Sequence, residues 1–550
     1  MSRKIKWAVL TAALLFVIVA FRKPTEKYFE IAKSLDIFAT LFKEVNAYYV
    51  DNVEPQKLVR QGIDGMLQSL DPYTDYIPED QIENFRITTT GQYGGIGALI
   101  GVVNNKTVIT HPYKEFPAYK AGIKVGDELI AVDGKLVKDK GTGDVSALLK
   151  GQPKTEVEVR LKRHGREDEI VLKIKREKIN IGNVSHFQLI NNDVGYIRLD
   201  DFTPGAGKEV AEALLDLKEK GATKLILDLR DNPGGLLHEA VNIVSLFIPK
   251  GMDVVSTKGK VEEWNKTYTT LNAPIDTEMP VAILANENSA SASEIVAGSL
   301  QDYDRAVLIG RKTFGKGLVQ TTRALAYNAQ LKVTTAKYYI PSGRCIQALD
   351  YTHRKEDGTV HKVADSLKKE FQTKAGRVVY DGGGLDPDIT IKEQYIGSLT
   401  EALLANGLIF EYASQFVNEN PQFINLRDFA LTDEQYSYFT KWLASQNFKY
   451  TTEVERSAKE LVEAAKKEQY YSEIEQQLSQ IRKQIEASKV TDLTRYKPEI
   501  KGLLEQQIAF HYDLVEGQAF VALKNDEAIK QAFAVLNNKS TYKSILTPKQ

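Results

Sequence analysis

Apolar positions recur at helical spacing in "YFEIAKSLDIFATLFKEVNAYYV" (28–50) and again in "QKLVRQGIDGMLQSL" (56–70). The turn-like "DPYTD" follows, so the pattern predicts a small helical region over 26–91. Then the texture changes. "GQYGGIGALIGVVNNKTVITHPY" is rich in glycine and β-branched residues, and "TEVEVRLKRHGREDEIVLKIKRE" alternates as two strands joined at "HGRED", which predicts a β module over 92–178. Between about 180 and 345, continuous apolar runs such as "KLILDL", "PVAILAN" and "RAVLIG" alternate with helical patterns such as "VAEALLDLKEKG" and "ASEIVAGSLQDY". Strands of that kind are buried on both faces, so an α/β domain with a mainly parallel sheet is expected over 179–395. Its polar stretch 350–380 reads as a surface insertion. From 396 to 550 the chain is helical and charged, and the run from Glu453 carries Val454, Leu461, Ile474, Leu478, Ile481 and Ile485 near helical spacing.

Composition narrows the function classes. A chain of 550 residues needs several cores, and 72 Lys plus Arg against 73 Asp plus Glu gives no overall bias toward nucleic acid. The single cysteine, Cys345, excludes an intramolecular disulfide and reads as a small packed residue. At the N-terminus Arg3, Lys4 and Lys6 precede a fifteen-residue apolar run that Arg22 and Lys23 close. That run is short for a spanning helix and fits an export signal. Ile18 stands where cleavage after Ala20 requires a small residue. Residues 1–25 are therefore expected to stay as a membrane anchor, the favoured reading, or to serve as a cleaved export signal; either way the rest is extracytoplasmic, on the periplasmic side of an inner membrane.

Two segments carry candidate chemistry. "GRKTFGKGLVQ" (310–320) matches a phosphate loop except at Gly317, where a hydroxyl is needed for Mg²⁺, and a β-branched stretch follows where a helix should start. A nucleotide site is thereby disfavoured, leaving a glycine turn that carries Lys316. Upstream, "ENSASASEIVAGSLQD" places Ser289, Ser291 and Ser293 between an apolar strand and a helix. Such a turn exposes a nucleophile to fresh helix amides; it is equally the form of a capping box from Ser291 to Glu294. None of the seven histidines lies in either segment, and there is no G-x-S-x-G elbow. The S-x-x-K spacings at Ser366 and Ser540 sit in charged stretches without their companion motifs and are chance matches. A pair of Ser291 and Lys316 is the better arrangement. It requires a neutral lysine, whose pKa has to fall from about 10.4 toward 7, a cost of about 4 kcal/mol in lost solvation; Phe314, Leu318 and Val319 flank it to supply the burial.

Together "NSASASEIVAGSLQD", "GRKTFGKGLVQ", "DLRDNPGGLL", "TTAKYYIPSGRCIQ" and "SLDPYTDYI" resemble the C-terminal processing peptidases, or tail-specific proteases, over about residues 35 to 395. The resemblance implies a crotonase/ClpP-like peptidase core of α/β class, α+β overall, with an inserted PDZ domain, a helical N-terminal region and a helical C-terminal extension. It implies Ser291 as nucleophile, Lys316 as general base and Gln320 as the residue that orients the lysine. Gly234 or Gly235 with the amide of Ala292 would form the oxyanion hole. Glu294 and Asp302 would support the site or act as an ordinary cap and ion pair. Gly94, Gly95, Ile96 and Gly97 would grip a peptide carboxylate, so that the partners are proteins with unstructured C-termini. No cofactor or metal is implied. The insertion at 350–380 and the helical tail depart from the core pattern, and either is a place for self-association or for an activator or adaptor protein. The competing classes are an inactive PDZ scaffold or chaperone and a hydratase-like enzyme built on the same core.

Overall fold

Strands that the sequence marks as continuously apolar, among them Lys224–Asp228, Val281–Ala285 and Ala306–Gly310, form the centre of the molecule. A computed structural model describes residues 28–354, 359–393, 395–422 and 425–548; the anchor expected at 1–25 lies outside them. The central sheet runs in the order Val184–Ile190, Val194–Leu199, Lys224–Asp228, Val281–Ala285, Ala306–Gly310 and Ile389–Thr390. Only the first pair is antiparallel. Side chains alternate across a strand, so Leu225, Leu227, Ile283 and Leu308 face the helices Ala206–Glu219, Leu237–Val244 and Ala292–Asp302 on one side. Ile226, Ala282, Leu284, Val307 and Ile309 face the other side.

The cover of that second face comes from the far end of the chain. Helix Glu527–Leu536 lays Ala528, Ile529, Ala532, Val535 and Leu536 against it. Part of the helical tail is thus a layer of the central α/β domain. The remainder, from Leu399 to Val521, has its own core around Phe439, Leu443, Ile500, Leu504 and Ile508.

A second, antiparallel sheet lies beside the first. Its ten-residue strand Gln330–Tyr339 pairs on one side with Leu318–Ala324 and on the other with Asp75–Ile77 and Asp253–Gly259. That pairing carries the turn "DPYTD" from the N-terminal helical region, which comprises residues 28–48 and Pro55–Gln68, up to the loop of Lys316.

The glycine-rich module is an antiparallel sheet in the order Ala98–Val103, Lys106–Pro112, Glu128–Val132, Glu156–Lys162 and Ile170–Lys175, with helix Thr142–Leu149 beside the edge strand Ala98–Val103. Its entering and leaving strands, Gln92–Gly95 and Glu177–Asn180, pair with each other as a stem. The insertion at 350–380 folds as two hairpins, anchored where Arg377 pairs with Asp304 and Asp388. Among the described residues no helix is long and apolar enough to cross a membrane.

The tail's contribution to the core is measurable. Ile529 is 1% exposed, so Ile529→Ala should destabilise the central sheet by about 2–5 kcal/mol. Ile481→Ala, on the exposed part of the tail, should change stability by no more than about 0.5 kcal/mol. Urea denaturation read by hydrogen exchange in Val281–Ala285 and Ala306–Gly310 checks both.

Candidate active site

Three neighbouring parallel strands, Lys224–Asp228, Val281–Ala285 and Ala306–Gly310, end on the same edge of the sheet. The loops that leave them are the glycine loop "DNPGG", the serine turn and the lysine turn. Ligand sites in parallel sheets form at that edge, and the strand order alone brings these loops together.

In the serine turn the three serines separate by environment. Ser289 Oγ donates to the Leu229 carbonyl at 2.7 Å and accepts the Asn286 amide at 2.9 Å; Ser293 Oγ donates to the Asn232 carbonyl at 3.0 Å. Both are buried. Their hydroxyls tie the turn to the glycine loop. Ser291 is half-buried at the N-cap of helix Ala292–Asp302, with φ 56° and ψ −113°, a region a side-chain-bearing residue enters at a cost of about 1–3 kcal/mol. Strain of that kind lifts a hydroxyl out of a strand-to-helix turn.

Glu294, fully buried one turn into the helix, joins this turn to the lysine turn. Its carboxylate accepts the Ser291 amide at 2.9 Å, the Thr313 hydroxyl at 2.6 Å, the Gly315 amide at 2.8 Å and the Lys316 amide at 2.9 Å. Burial pushes this carboxyl above its ordinary range, and the four donors pull the other way. Tyr338, 1% exposed, makes a second bridge, its hydroxyl reaching the carbonyls of both Ser291 and Lys316. The two sequence alternatives for Glu294 are therefore one structure, because the residue that caps the helix also holds the lysine loop.

Gly317, the position that spoiled the phosphate-loop match, is packed against Gln347. Its amide donates to Gln347 Oε1 at 2.8 Å, and a Cβ there would stand 2.8 Å from the Gln347 amide nitrogen. Lys316 is half-buried. Burial draws its ammonium below the ordinary lysine range, with Lys332 adding to the effect and Glu294 and Asp71 opposing it. Its Nζ lies 4.6 Å from the centroid of the Tyr73 ring. Among the described residues Ser291 Oγ and Lys316 Nζ are not hydrogen-bonded to each other. Gln320 is not on the lysine either, since its amide donates to Thr334 Oγ1 at 3.1 Å.

The glycine loop is held from below. Asp228, wholly buried, accepts Tyr196 Oη at 2.8 Å and the Arg230 guanidinium. Burial alone would raise its carboxyl, but Arg230 and Arg198 overcome this and hold it low. Arg230 also reaches Asp526, the N-cap of the tail helix, at 2.6 Å. Gly234 has φ 91°, and a Cβ there would lie 2.8 Å from Ser291 Cβ and 2.7 Å from the Ala292 nitrogen, so only glycine fits so close. Its own amide is spent on Asn232 Oδ1 at 2.9 Å. The amides of Gly235 and Ala292 take no partner among the described residues. Asp302 lies at the opposite end of the helix, ion-paired to Arg344 at 2.8 Å, away from the serine.

In the glycine-rich module Gly94 and Gly95 are paired with Lys178 and Glu177 in the stem. Ile96 is buried and Gly97 has φ 74° at the head of the edge strand. Tyr73, Tyr338, Asn232 and the Asp228–Arg230 pair were not picked out from the sequence. "DLRDN" and "DPYTD" were visible as motifs, but nothing in their spacing shows what they touch. Among the described residues no cluster of ligating side chains suits a metal ion.

Comparison with known proteins finds family matches in three parts of the chain. Residues 193–353 match the model described as peptidase family S41. Residues 108–163 match a PDZ domain, and residues 399–536 match the C-terminal helical domain of a probable PDZ-protease, so the tail has a family pattern of its own. The chain is 37% identical over 324 residues to the carboxy-terminal-processing protease of Bartonella bacilliformis, covering 58% of this chain and 74% of that one. It is 39% identical over 316 residues to a probable CtpA-like serine protease of Staphylococcus aureus strain N315, covering 57% of this chain and 62%, under two thirds, of that one. Among solved structures, the photosystem II D1 C-terminal processing protease aligns at 27% identity and a TM-score of 0.36, over 64% of this chain and 92% of that chain.

The buried carboxylate sets a stability test. Glu294→Gln turns one carboxylate oxygen into an NH₂ that faces at least one backbone amide, a group that only donates, so it should cost about 1–3 kcal/mol. Glu287→Gln, which breaks only the partly exposed pair with Arg311, should cost about 0–1 kcal/mol. Urea denaturation of both variants measures the difference.

Proposed function

The chain belongs to peptidase family S41, with the carboxy-terminal-processing proteases, and from that premise we propose that it cleaves proteins by a Ser291–Lys316 mechanism after capturing their C-termini. It is a serine protease with a PDZ domain; the residue roles, the substrate route and the location are our reading. The observation that carries it is the pair of bridges, Glu294 and Tyr338, that fasten the Ser291 turn to the Lys316 turn, while Ser289 and Ser293 are occupied elsewhere.

In this mechanism neutral Lys316 takes the proton of Ser291 as Oγ attacks the scissile carbonyl. The lysine side chain has to swing from the Tyr73 ring to do so, and Gln320 turns from Thr334 to steady it. The oxyanion is received by the amides of Gly235 and Ala292, since that of Gly234 is engaged; donors so placed are typically worth about 2.7–4 kcal/mol each. Lys316 then passes the proton to the leaving amine, and water hydrolyses the acyl-serine. Upstream, a substrate C-terminus adds as a strand along the edge Ala98–Val103, next to helix Thr142–Leu149, with the amides of Ile96 and Gly97 toward its carboxylate. The basic and apolar N-terminus favours a protein anchored with its catalytic part outside the cytoplasm, facing the periplasm. The helical tail is the place for an activator, an adaptor or a second copy.

Full chain in detergent, given an unfolded substrate with a free C-terminus, should cut it. Ser291→Ala and Lys316→Ala should each lose at least about 1,000-fold in rate, while Ser289→Ala and Ser293→Ala should keep cutting. Because the base must be neutral and burial lowers its pKa, the rate should rise with pH and level off below the ordinary lysine value of 10.5. Cutting by Ser291→Ala would overturn the site, and a wild type that never cuts would favour the inactive scaffold.

A further inference from the structure

Lys316 is held by a part of the chain that the mechanism above does not use. Its ammonium sits over the Tyr73 ring, 4.6 Å from the centroid, and makes no hydrogen bond or ion pair among the described residues. The segment that presents the ring is tied together by hydrogen bonds of its own. Asp71, 6% exposed, accepts the amides of Tyr73 and Thr74, each at 2.8 Å, and the Thr74 hydroxyl at 3.0 Å. Behind the ring, Tyr351 packs edge-on at 6.2 Å. Thr74 Oγ1 then accepts the Thr334 amide at 3.2 Å, and Thr334 is the residue that takes the Gln320 amide. One short turn thus holds the lysine directly and its expected partner at one remove.

An aromatic face attracts an ammonium and has no such attraction for a neutral amine. A ring in this position works for the charged form of the lysine and against the form that can accept a proton. The phenol does not alter this, because burial, Tyr351, Glu294 and Asp71 push the Tyr73 hydroxyl far above its ordinary range and keep it neutral. The other charges facing the ammonium are Glu294 from helix Ala292–Asp302, Asp71 from the same turn as the ring, and Lys332 from strand Gln330–Tyr339. None of them touches it.

We propose that Tyr73 is a positioning residue that parks Lys316 in its charged form on the aromatic ring, without a hydrogen bond to Ser291, so that the strength of this hold sets how much of the enzyme is ready to react. The inference rests on Lys316 being the general base. It makes the N-terminal turn, and not the peptidase core alone, part of the active site.

The test uses the full chain with Tyr73→Phe, which keeps the ring, and Tyr73→Leu and Tyr73→Met, which keep bulk without it. Two readouts are taken: the pH profile of kcat/KM, and, in a Ser291→Ala background, the pH dependence of Lys316 acetylation by acetic anhydride followed by peptide mass spectrometry. Tyr73→Phe should overlay the wild type in both. Tyr73→Leu and Tyr73→Met should move both midpoints down by about half to one pH unit and raise kcat/KM near neutral pH by about 3- to 10-fold, with KM unchanged. An unmoved or raised acetylation midpoint in both ring-less variants overturns the proposal, as does loss of activity with the midpoint unchanged, which marks Tyr73 as merely structural. If Lys316→Ala still cuts, the mechanism fails instead; that arm is separate from the acetylation readout, which needs no catalysis.

Discussion

One carboxylate with no solvent exposure receives donors from two loops that lie more than twenty residues apart in the chain. Glu294 meets the Ser291 amide on its own helix and the Gly315 and Lys316 amides across the gap, so neither loop can move without leaving a buried donor or acceptor unpaired. An unmet buried polar group costs about 1–3 kcal/mol, comparable to the strain carried by Ser291 itself. The strained turn persists because these bonds over-determine it. Tyr338 repeats the constraint on the opposite polar groups, the carbonyls of Ser291 and Lys316.

Behind the site, the same logic extends to the end of the chain. The central sheet can be parallel and apolar on both faces only if both are covered, and helix Glu527–Leu536 supplies the second cover. Its N-cap, Asp526, caps the amides of Ala528 and Ile529 and also pairs with Arg230. Arg230 in turn neutralises Asp228 at the root of the glycine loop. The start of the covering helix and the loop beside Ser291 are therefore joined through two ion pairs. Folding of the tail and geometry of the site are one problem for this chain.

What the sequence could reveal follows from the range of the forces involved. The parallel strands were legible because burial on both faces leaves unbroken apolar runs such as "VAILA" and "AVLIG", and the module's hairpins because alternation and turn residues are local signals. Ser291 and Lys316 were legible because small residues and glycines mark turns. Glu294 was legible as a cap, which needs only residues three apart, whereas its bonds to Gly315 and Lys316 depend on strand order. Tyr338 and Tyr73 reach the site through pairing in the second sheet, where Gln330–Tyr339 meets Asp75–Ile77 across some 250 residues of chain. The tail read only as a charged helical stretch because its charged middle dominates the pattern. The short stretch "EAIKQAFAVL" has an apolar face like any amphipathic helix, and nothing local says that it lies on a sheet almost 250 residues upstream.

The attachments of the PDZ domain differ in strength for reasons the geometry makes plain. Its stem, Gln92–Gly95 on Glu177–Asn180, is a backbone ladder with Ile179 fully buried beneath it. It also meets the helical tail, in part at a break in the long helix, where Asp513 has φ −143° and Leu514 φ 52°. There Lys114 pairs with Asp513 at 2.7 Å and Glu516 at 3.1 Å, His111 packs on Phe510 at 5.2 Å, and Ser414, bonded to His511 at 2.8 Å, closes on Gly126. The charged side chains in those pairs are about a third exposed or more, and pairs of that kind are worth about 0–1 kcal/mol each. Breaking the stem would strand ladder amides and uncover Ile179, while parting the tail contact breaks the Lys114 ion pairs, the Asn104–Glu411 hydrogen bond and the packing of His111, Val103 and Gly126 on the tail. The stem's two strands lead directly to the neighbourhood of Thr203 and Asn183 beside the central sheet, so the PDZ domain is joined to the core by backbone pairing and to the tail by side-chain contacts.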